Sequence, residues 1–314
     1  MMFFLALLIL LLAELGYFKL ADRLNIIDKP NQRSSHSIIT LRGGGIVFYF
    51  GMVLYFLLFK FNYPWFLSGL TLIAGISFAD DLKPRPSWLR LCIHIVAMGL
   101  MFYQWGLFEL PWYYTFISLI FCTGILNAYN FMDGINGITG GYSLVVVGIL
   151  WYINTYVTSF VDANFLYLVL LALLVFNFFN FRKKARCFAG DVGSMSIAFI
   201  IVFLLGLLII KTGDFSYIVV LALYGVDSIL TIVHRLMLHE NIFEAHRKHL
   251  FQLMANELKM PHVLVSGIYM VVQLAINVGL IFSHAHYWYA LFVLVLFSLF
   301  YMLFMKKNFH LHAL

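Results

Sequence analysis

The chain has 314 residues, of which 63% are hydrophobic and 11% charged, and a formal net charge of +6. Soluble domains average about 25% charged and roughly 45–50% apolar residues, so too few ionisable side chains exist here to cover a water-facing surface. Soluble, disordered and disulfide-scaffold classes are excluded, and the sequence reads as an all-α polytopic integral membrane protein forming one domain over residues 1–314.

A helix needs about 20 residues to cross the hydrocarbon core. Apolar runs near residues 2–19, 44–60, 65–79, 88–105, 112–129, 139–158, 164–181, 194–210, 216–233, 262–282 and 288–305 predict about eleven transmembrane helices. The runs are continuous rather than alternating, which argues against a β-barrel. Pro30, Pro64, Pro84, Pro86, Pro111 and Pro261 fall at or between run ends, where a missing N–H costs least. The first run lacks a basic leader and a small-residue cleavage site, so it reads as a retained helix. Cys92, Cys122 and Cys187 have no ligand spacing and suggest neither a disulfide framework nor zinc.

Alternating these spans across the membrane places eighteen of the twenty Lys and Arg on one side, leaving Lys60 and Lys211 opposite. Positive charge marks the cytoplasmic side, which predicts an external N-terminus and a cytoplasmic C-terminus. The net charge is therefore a topology signal and not a sign of nucleic-acid affinity. Trp65, Trp88, Trp112, Trp151 and Trp288 fall near the expected interfaces, as belt residues do.

The same side collects the chemistry-capable residues, in chain order. Arg33-Ser-Ser-His36 and Thr40-Leu-Arg42-Gly43-Gly44-Gly45 join basic groups to glycines that can form an anion-binding nest. Asp80 and Asp81 end the third span and precede Lys83, Arg85 and Arg90. Helical neighbours diverge by about 100°, so this pair suits two roles rather than one. Asn127-x-x-Asn130-x-x-Asp133-x-x-Asn136 spreads four polar side chains over one broad helical face. Gly134, Gly137, Gly140 and Gly141 interleave or follow, as loop formers, close-packing positions or places where a nucleotide meets backbone. Asp191, in Phe188-Ala-Gly-Asp191-Val-Gly-Ser194, fits either a helix cap or a magnesium ligand, because Mg²⁺ takes one or two carboxylates plus substrate phosphates. The loop 234–261 carries His234, Arg235, His239, His246, Arg247 and His249, without a zinc-protease spacing. Glu14 and Asp227 lie inside spans, the first suited to helix packing and the second to an accessory site role.

Taken together in this order, these segments resemble the polyprenyl-phosphate N-acetylhexosamine-1-phosphate transferase family, which includes the phospho-MurNAc-pentapeptide translocase and enzymes that start O-antigen and teichoic-acid synthesis. The resemblance runs from about residue 20 to residue 255. It implies transfer of a sugar 1-phosphate from a UDP-N-acetylhexosamine to undecaprenyl phosphate, with release of UMP. It also implies Mg²⁺, with Mn²⁺ as a substitute, and a bacterial inner-membrane enzyme whose site faces the cytoplasm. A homodimer is compatible with it. By position, Asp191 would bind the metal, and Asp80 and Asp81 would activate the lipid phosphate or contact metal. Asn130 and the catalytic-site Asp133 would hold the uridine nucleotide. His246, Arg247 and His249 would meet donor phosphate or sugar, and Arg33, His36, Thr40, Arg42, Arg90 and Asn127 would complete the substrate contacts. Many family members carry aspartate where this chain has Asn136; an amide cannot act as a base, so Asn136 is assigned to substrate hydrogen bonding. The rival reading is a multi-span transporter of a phosphorylated or lipid-linked substrate, but transporters place substrate groups near the midplane, whereas these residues gather at one interface.

Overall fold

The computed structural model describes residues 1–28, 39–59, 61–242, 246–284 and 286–308. Helix α1 (Met2–Arg23) leads into a two-stranded antiparallel ribbon, β1 (Ile27–Asp28) and β2 (Thr40–Leu41). Then come α2 (Ile46–Leu58), α3 (Pro64–Leu82), α4 (Ser87–Gln104), α5 (Trp112–Met132), α6 (Ile138–Tyr156), α7 (Ala163–Asn180) and α8 (Gly190–Thr212). A 3-10 segment, Phe215–Leu221, runs into α9 (Ala222–Met237), and the chain closes with α10 (Leu250–Gln252), α11 (His262–Phe282) and α12 (His286–Lys307). Counting Phe215–Met237 as one, nine segments among the described residues are long and apolar enough to cross a membrane. The other two expected spans are present as the 13-residue α2 and the 18-residue α4. The protein is all-α and polytopic.

Proline sets several helix starts: Pro64 opens α3, and Pro86, Pro111 and Pro261 immediately precede α4, α5 and α11. Its fixed φ suits a first turn, where the N–H has no intrahelical partner. Trp65, Trp88, Trp112 and Trp288 are exposed near the starts of α3, α4, α5 and α12, whereas Trp151 is half-buried on α6. The three cysteines are free thiols.

Helix α8 is the axis of the molecule. It is apolar on every face, the pattern of a helix surrounded by protein, and Asp191 is the one residue between Gly190 and Leu205 that is not buried. Helix α3 runs antiparallel beside it. At one end Phe66 stacks on Phe203, with ring centroids 4.1 Å apart; at the other, Asp81 bonds the first turn of α8. Large apolar side chains of α12, including Trp288, Phe292, Val295, Leu299 and Leu303, point outward. A lipid phase accounts for such an exposed surface, which would be an aggregation site in water.

Candidate active site

The site is framed by two chain segments that the sequence separates widely. Phe188 N–H donates to the Leu41 carbonyl (2.8 Å), Gly44 N–H to the Phe188 carbonyl (2.9 Å) and Gly45 N–H to the Ala189 carbonyl (3.1 Å). Glycine is required for this approach. A Cβ on Gly45 would collide with the Gly193 backbone, and one on Gly190 would come within 2.7 Å of both Gly43 N and Asp81 Oδ2. Gly190 also has φ +71°, in the left-handed region. The anion-nest expectation for the glycine run is corrected here: the N–H groups of Gly44 and Gly45 already donate to carbonyls.

This frame brings Arg42 over the start of α8. Its Nε lies 2.5 Å from Asp81 Oδ1 and its Nη2 3.2 Å from Asp191 Oδ1. Asp81 has no exposed side-chain surface; its two oxygens accept the backbone N–H groups of Asp191 and Val192, each at 3.0 Å. A carboxylate at a helix N-terminus satisfies orphan donors and meets the positive end of the helix dipole. The cap of α8 therefore comes from α3, and the Asp191 carboxyl is not the cap. Asp80 faces elsewhere, as adjacent helical residues must: Oδ1 accepts Arg85 N–H at 2.6 Å and Oδ2 pairs with Arg90 Nη1 at 3.0 Å.

A cavity of about 520 Å³ opens between α3, α4, α5, α8 and the loop after α9. Six of the residues expected at the site share its wall: Asp80, Arg90, Asn127, Asn130, Asp191 and His246. Ser77, His94 and Thr123 also line it and were not anticipated. Their signal was spacing, since each lies three or four residues from Asp80, Arg90 or Asn127, on the same helical stripe. Farther along α5 and α8, a second and apolar cavity of about 540 Å³ is lined by residues such as Tyr114, Ile117, Phe121, Leu205 and Ile209.

The remaining expected residues sit differently. Asp133 follows α5 half-buried; desolvation pushes its carboxyl up to about 6, with Thr139 and Arg42 opposing and the Asp81 charge adding to the rise. His249 lies behind the wall, its ring centroid 5.0 Å from that of His246. Arg247 is half-buried in the same loop. Thr40 pairs with Asp28 in the ribbon and lines a separate groove beside α1. Arg33 and His36 lie outside the described residues. Asn136 is buried and turned to the chain itself: its Nδ2 donates to the Arg182 and Lys183 carbonyls at 2.9 and 3.3 Å. Those contacts tie the α5–α6 turn to the α7–α8 loop, a bracing role instead of the expected substrate contact. Asn180, which sequence reading missed, does the same by accepting Gly137 N–H and donating to the Cys187 carbonyl, both at 2.8 Å. Gly137, Gly140 and Gly141 lie against Phe181, Phe176, Asn177 and Met270, so close packing explains them and a nucleotide contact does not.

The sequence model of glycosyl transferase family 4 matches residues 63–210. The chain is 25% identical over 317 residues to the undecaprenyl-phosphate alpha-N-acetylglucosaminyl 1-phosphate transferase of Escherichia coli O157:H7, covering 91% of this chain and 84% of that protein. Over residues 63–210, just under half of its length, the chain resembles glycosyl transferase family 4. The protein of the same name in Escherichia coli K12 is 27% identical over 207 residues, 60% of this chain and 56% of its own length. A Bacillus subtilis strain 168 protein, named "Probable undecaprenyl-phosphate N-acetylglucosaminyl 1-phosphate transferase", is 24% identical over 90% of this chain and 84% of its own length. The glycosyl transferase family 4 match begins one residue before α3 and ends within the last turns of α8. It therefore contains the acidic wall and the asparagine face, while Arg42 and the histidine loop lie on either side of it.

Proposed function

We propose that this protein transfers N-acetylhexosamine 1-phosphate from a UDP-sugar to undecaprenyl phosphate at the cytoplasmic face of a bacterial membrane. The observation that carries the reading is the single cavity on which two carboxylates, a guanidinium, two amides and two imidazoles converge at one end of a lipid-facing bundle. An oxygen of the lipid phosphate attacks the donor phosphorus that bears the sugar. The bond from that phosphorus to the bridging oxygen breaks, and UMP leaves with the bridging oxygen and its electron pair. Such chemistry depends on positioning and charge neutralisation more than on a protein nucleophile. Arg90 and Arg42 supply fixed positive charge beside the reacting phosphates, and Asn127 and Asn130 offer paired donors and acceptors for the nucleotide. The apolar cavity farther along α5 and α8 gives the acceptor's hydrocarbon a path away from water.

Asp191 and Asp80 fit a magnesium ion. They are neighbouring like charges on the same wall, and each keeps exposed carboxylate surface, 20% and 11% of the side chain. Among the described residues no group of three or more His, Cys, Asp or Glu could form an all-protein cage, which suits an ion that keeps waters and substrate phosphates as ligands. When bound, the ion would draw charge from the donor's pyrophosphate. Asp81, saturated by Arg42 and two backbone donors, serves as the support that aims Arg42 and Asp191.

Purified protein supplied with Mg²⁺, labelled UDP-N-acetylglucosamine or UDP-N-acetylgalactosamine, and undecaprenyl phosphate should release UMP in equal amount to lipid-linked label. Label crossing proteoliposomes with no UMP formed would establish the transporter reading instead. The pH profile gives a separate check. Burial holds the Asp133 proton more tightly in the folded protein than in the unfolded chain. The protonated form's contribution to stability is therefore complete below about pH 4 and is lost as pH rises through about 6. Transfer that needs the ionised carboxylate rises through the same pH, and Asp133→Asn should remove that acidic limb from a plot of kcat/KM against pH.

A further inference from the structure

The geometry points to Asp227 as the positioning residue of the histidine loop: it holds His249 through Nδ1 and leaves Nε2 as the ring atom available to the sugar-nucleotide donor. Asp227 and His249 are each about 2% exposed, and Asp227 Oδ1 lies 3.3 Å from His249 Nδ1. The same carboxylate accepts Leu250 N–H at 2.9 Å, the Thr231 hydroxyl at 3.2 Å and the Tyr269 hydroxyl at 2.7 Å. Thr231 and Tyr301 hydroxyls meet at 2.8 Å. Helices α9, α11 and α12 thus form one polar base beneath the loop.

A buried carboxylate in a membrane span is costly unless a positive group compensates it. Of the four donors on Asp227, the peptide N–H and the two hydroxyls are neutral, so His249 is the one that can carry charge. The nearby cations are committed elsewhere: Arg235 and Lys248 both pair with Glu240, and Arg235 also donates to the Asn241 and Ile242 carbonyls. His246 lies between His249 and the cavity, and its ring is held neutral, lowered to about 3 by burial and by the His249 and Arg235 charges. His249 Nε2 is buried and has no hydrogen-bond partner among the described residues. Its ring packs against the two cavity-wall residues His246 and Phe131, at centroid distances of 5.0 and 6.2 Å. An unpartnered ring nitrogen of fixed orientation behind that wall is a group made for a ligand that inserts between them, and the anionic or hydroxyl-rich part of the donor has the matching chemistry.

This inference rests on the sugar-phosphate transfer reading for its ligand but not for its geometry. Asp227→Leu keeps a similar volume and removes the acceptor from Nδ1, so the His249 ring loses what fixes its orientation and its Nδ1 proton. The expected result is a fall of at least tenfold in kcat/KM for the UDP-sugar with the undecaprenyl phosphate KM unchanged. In ¹⁵N spectra of histidine-labelled protein, with His249→Gln marking the resonance, the Nδ1–H signal of His249 should be lost in Asp227→Leu. Thr231→Val removes a different donor from Asp227 and should lower thermal stability while leaving the donor kcat/KM within twofold. Unchanged donor kinetics in Asp227→Leu, equal losses for donor and acceptor, or a His249 that lacks an Nδ1 proton in the wild type would each overturn the assignment. If the wild type transferred no sugar phosphate at all, the transfer reading would fall, and the spectra would still decide the Asp227–His249 arrangement.

Discussion

Asparagine in place of Asp191 should lower UMP release by about 10²–10³-fold, the scale on which removal of one preorganised electrostatic group is felt. The fold should survive the change. The Asp191 backbone N–H, not its side chain, is held by Asp81, and the side chain pairs with Arg42. An amide fills the same space and loses only charge. A second readout separates metal binding from general damage: Mg²⁺ together with a UDP-sugar should raise the melting temperature of the wild type and leave that of Asp191→Asn unmoved. Activity within threefold of wild type would remove Asp191 from the site.

Asp81 predicts the opposite balance. Alanine there leaves two buried N–H groups at the start of α8 without acceptors and strips Arg42 of its closest partner. Each unsatisfied buried donor costs about 1–3 kcal/mol, so the two cost about 2–6 kcal/mol, and the lost contact to Arg42, itself a third exposed, adds little more. A loss of about 2–6 kcal/mol corresponds to roughly 10 °C in Tm at about 2–4 °C per kcal/mol. Asp81→Ala should therefore melt roughly 10 °C lower than Asp191→Asn, and its activity should fall because Arg42 and the Asp191 backbone lose their shared support. A variant that is inactive yet melts with the wild type would show instead that Asp81 acts directly on substrate or metal.

Hydropathy sufficed for the helical class, because eleven apolar runs leave little freedom in how a chain meets lipid. Three helix ends departed from expectation at tertiary contacts. Helix α3 extends to Leu82 rather than 79 because Asp80 and Asp81 both find donors in its last turn. Helix α8 starts at Gly190 rather than 194 because a carboxylate from another helix caps it. Helix α2 starts at Ile46 rather than 44 because Gly44 and Gly45 are bonded to residues 188 and 189. Apart from Arg85, which bonds Asp80, none of these partners is local, so no short window of sequence contains them. The cavity was legible to the extent that polar residues sat at span ends on one side. It was illegible where residue type served two purposes: Asn136 looks like a ligand contact and braces loops, and the glycines after it look like a phosphate cradle and pack against aromatic rings. The aspartate inside the ninth span could be noticed from sequence, but its partner at residue 249 could not.

The crossing of Gly45 over Gly193 also limits how this protein can vary. A side-chain carbon on Gly45 would come within 2.3 Å of the Gly193 Cα, and one on Gly193 within 2.6 Å of the Gly45 Cα. Genetic suppression of a steric clash normally works by trimming the neighbour, and here the neighbour has nothing left to trim. Neither position can be relieved by mutating its counterpart, so both lineages of change end where they begin.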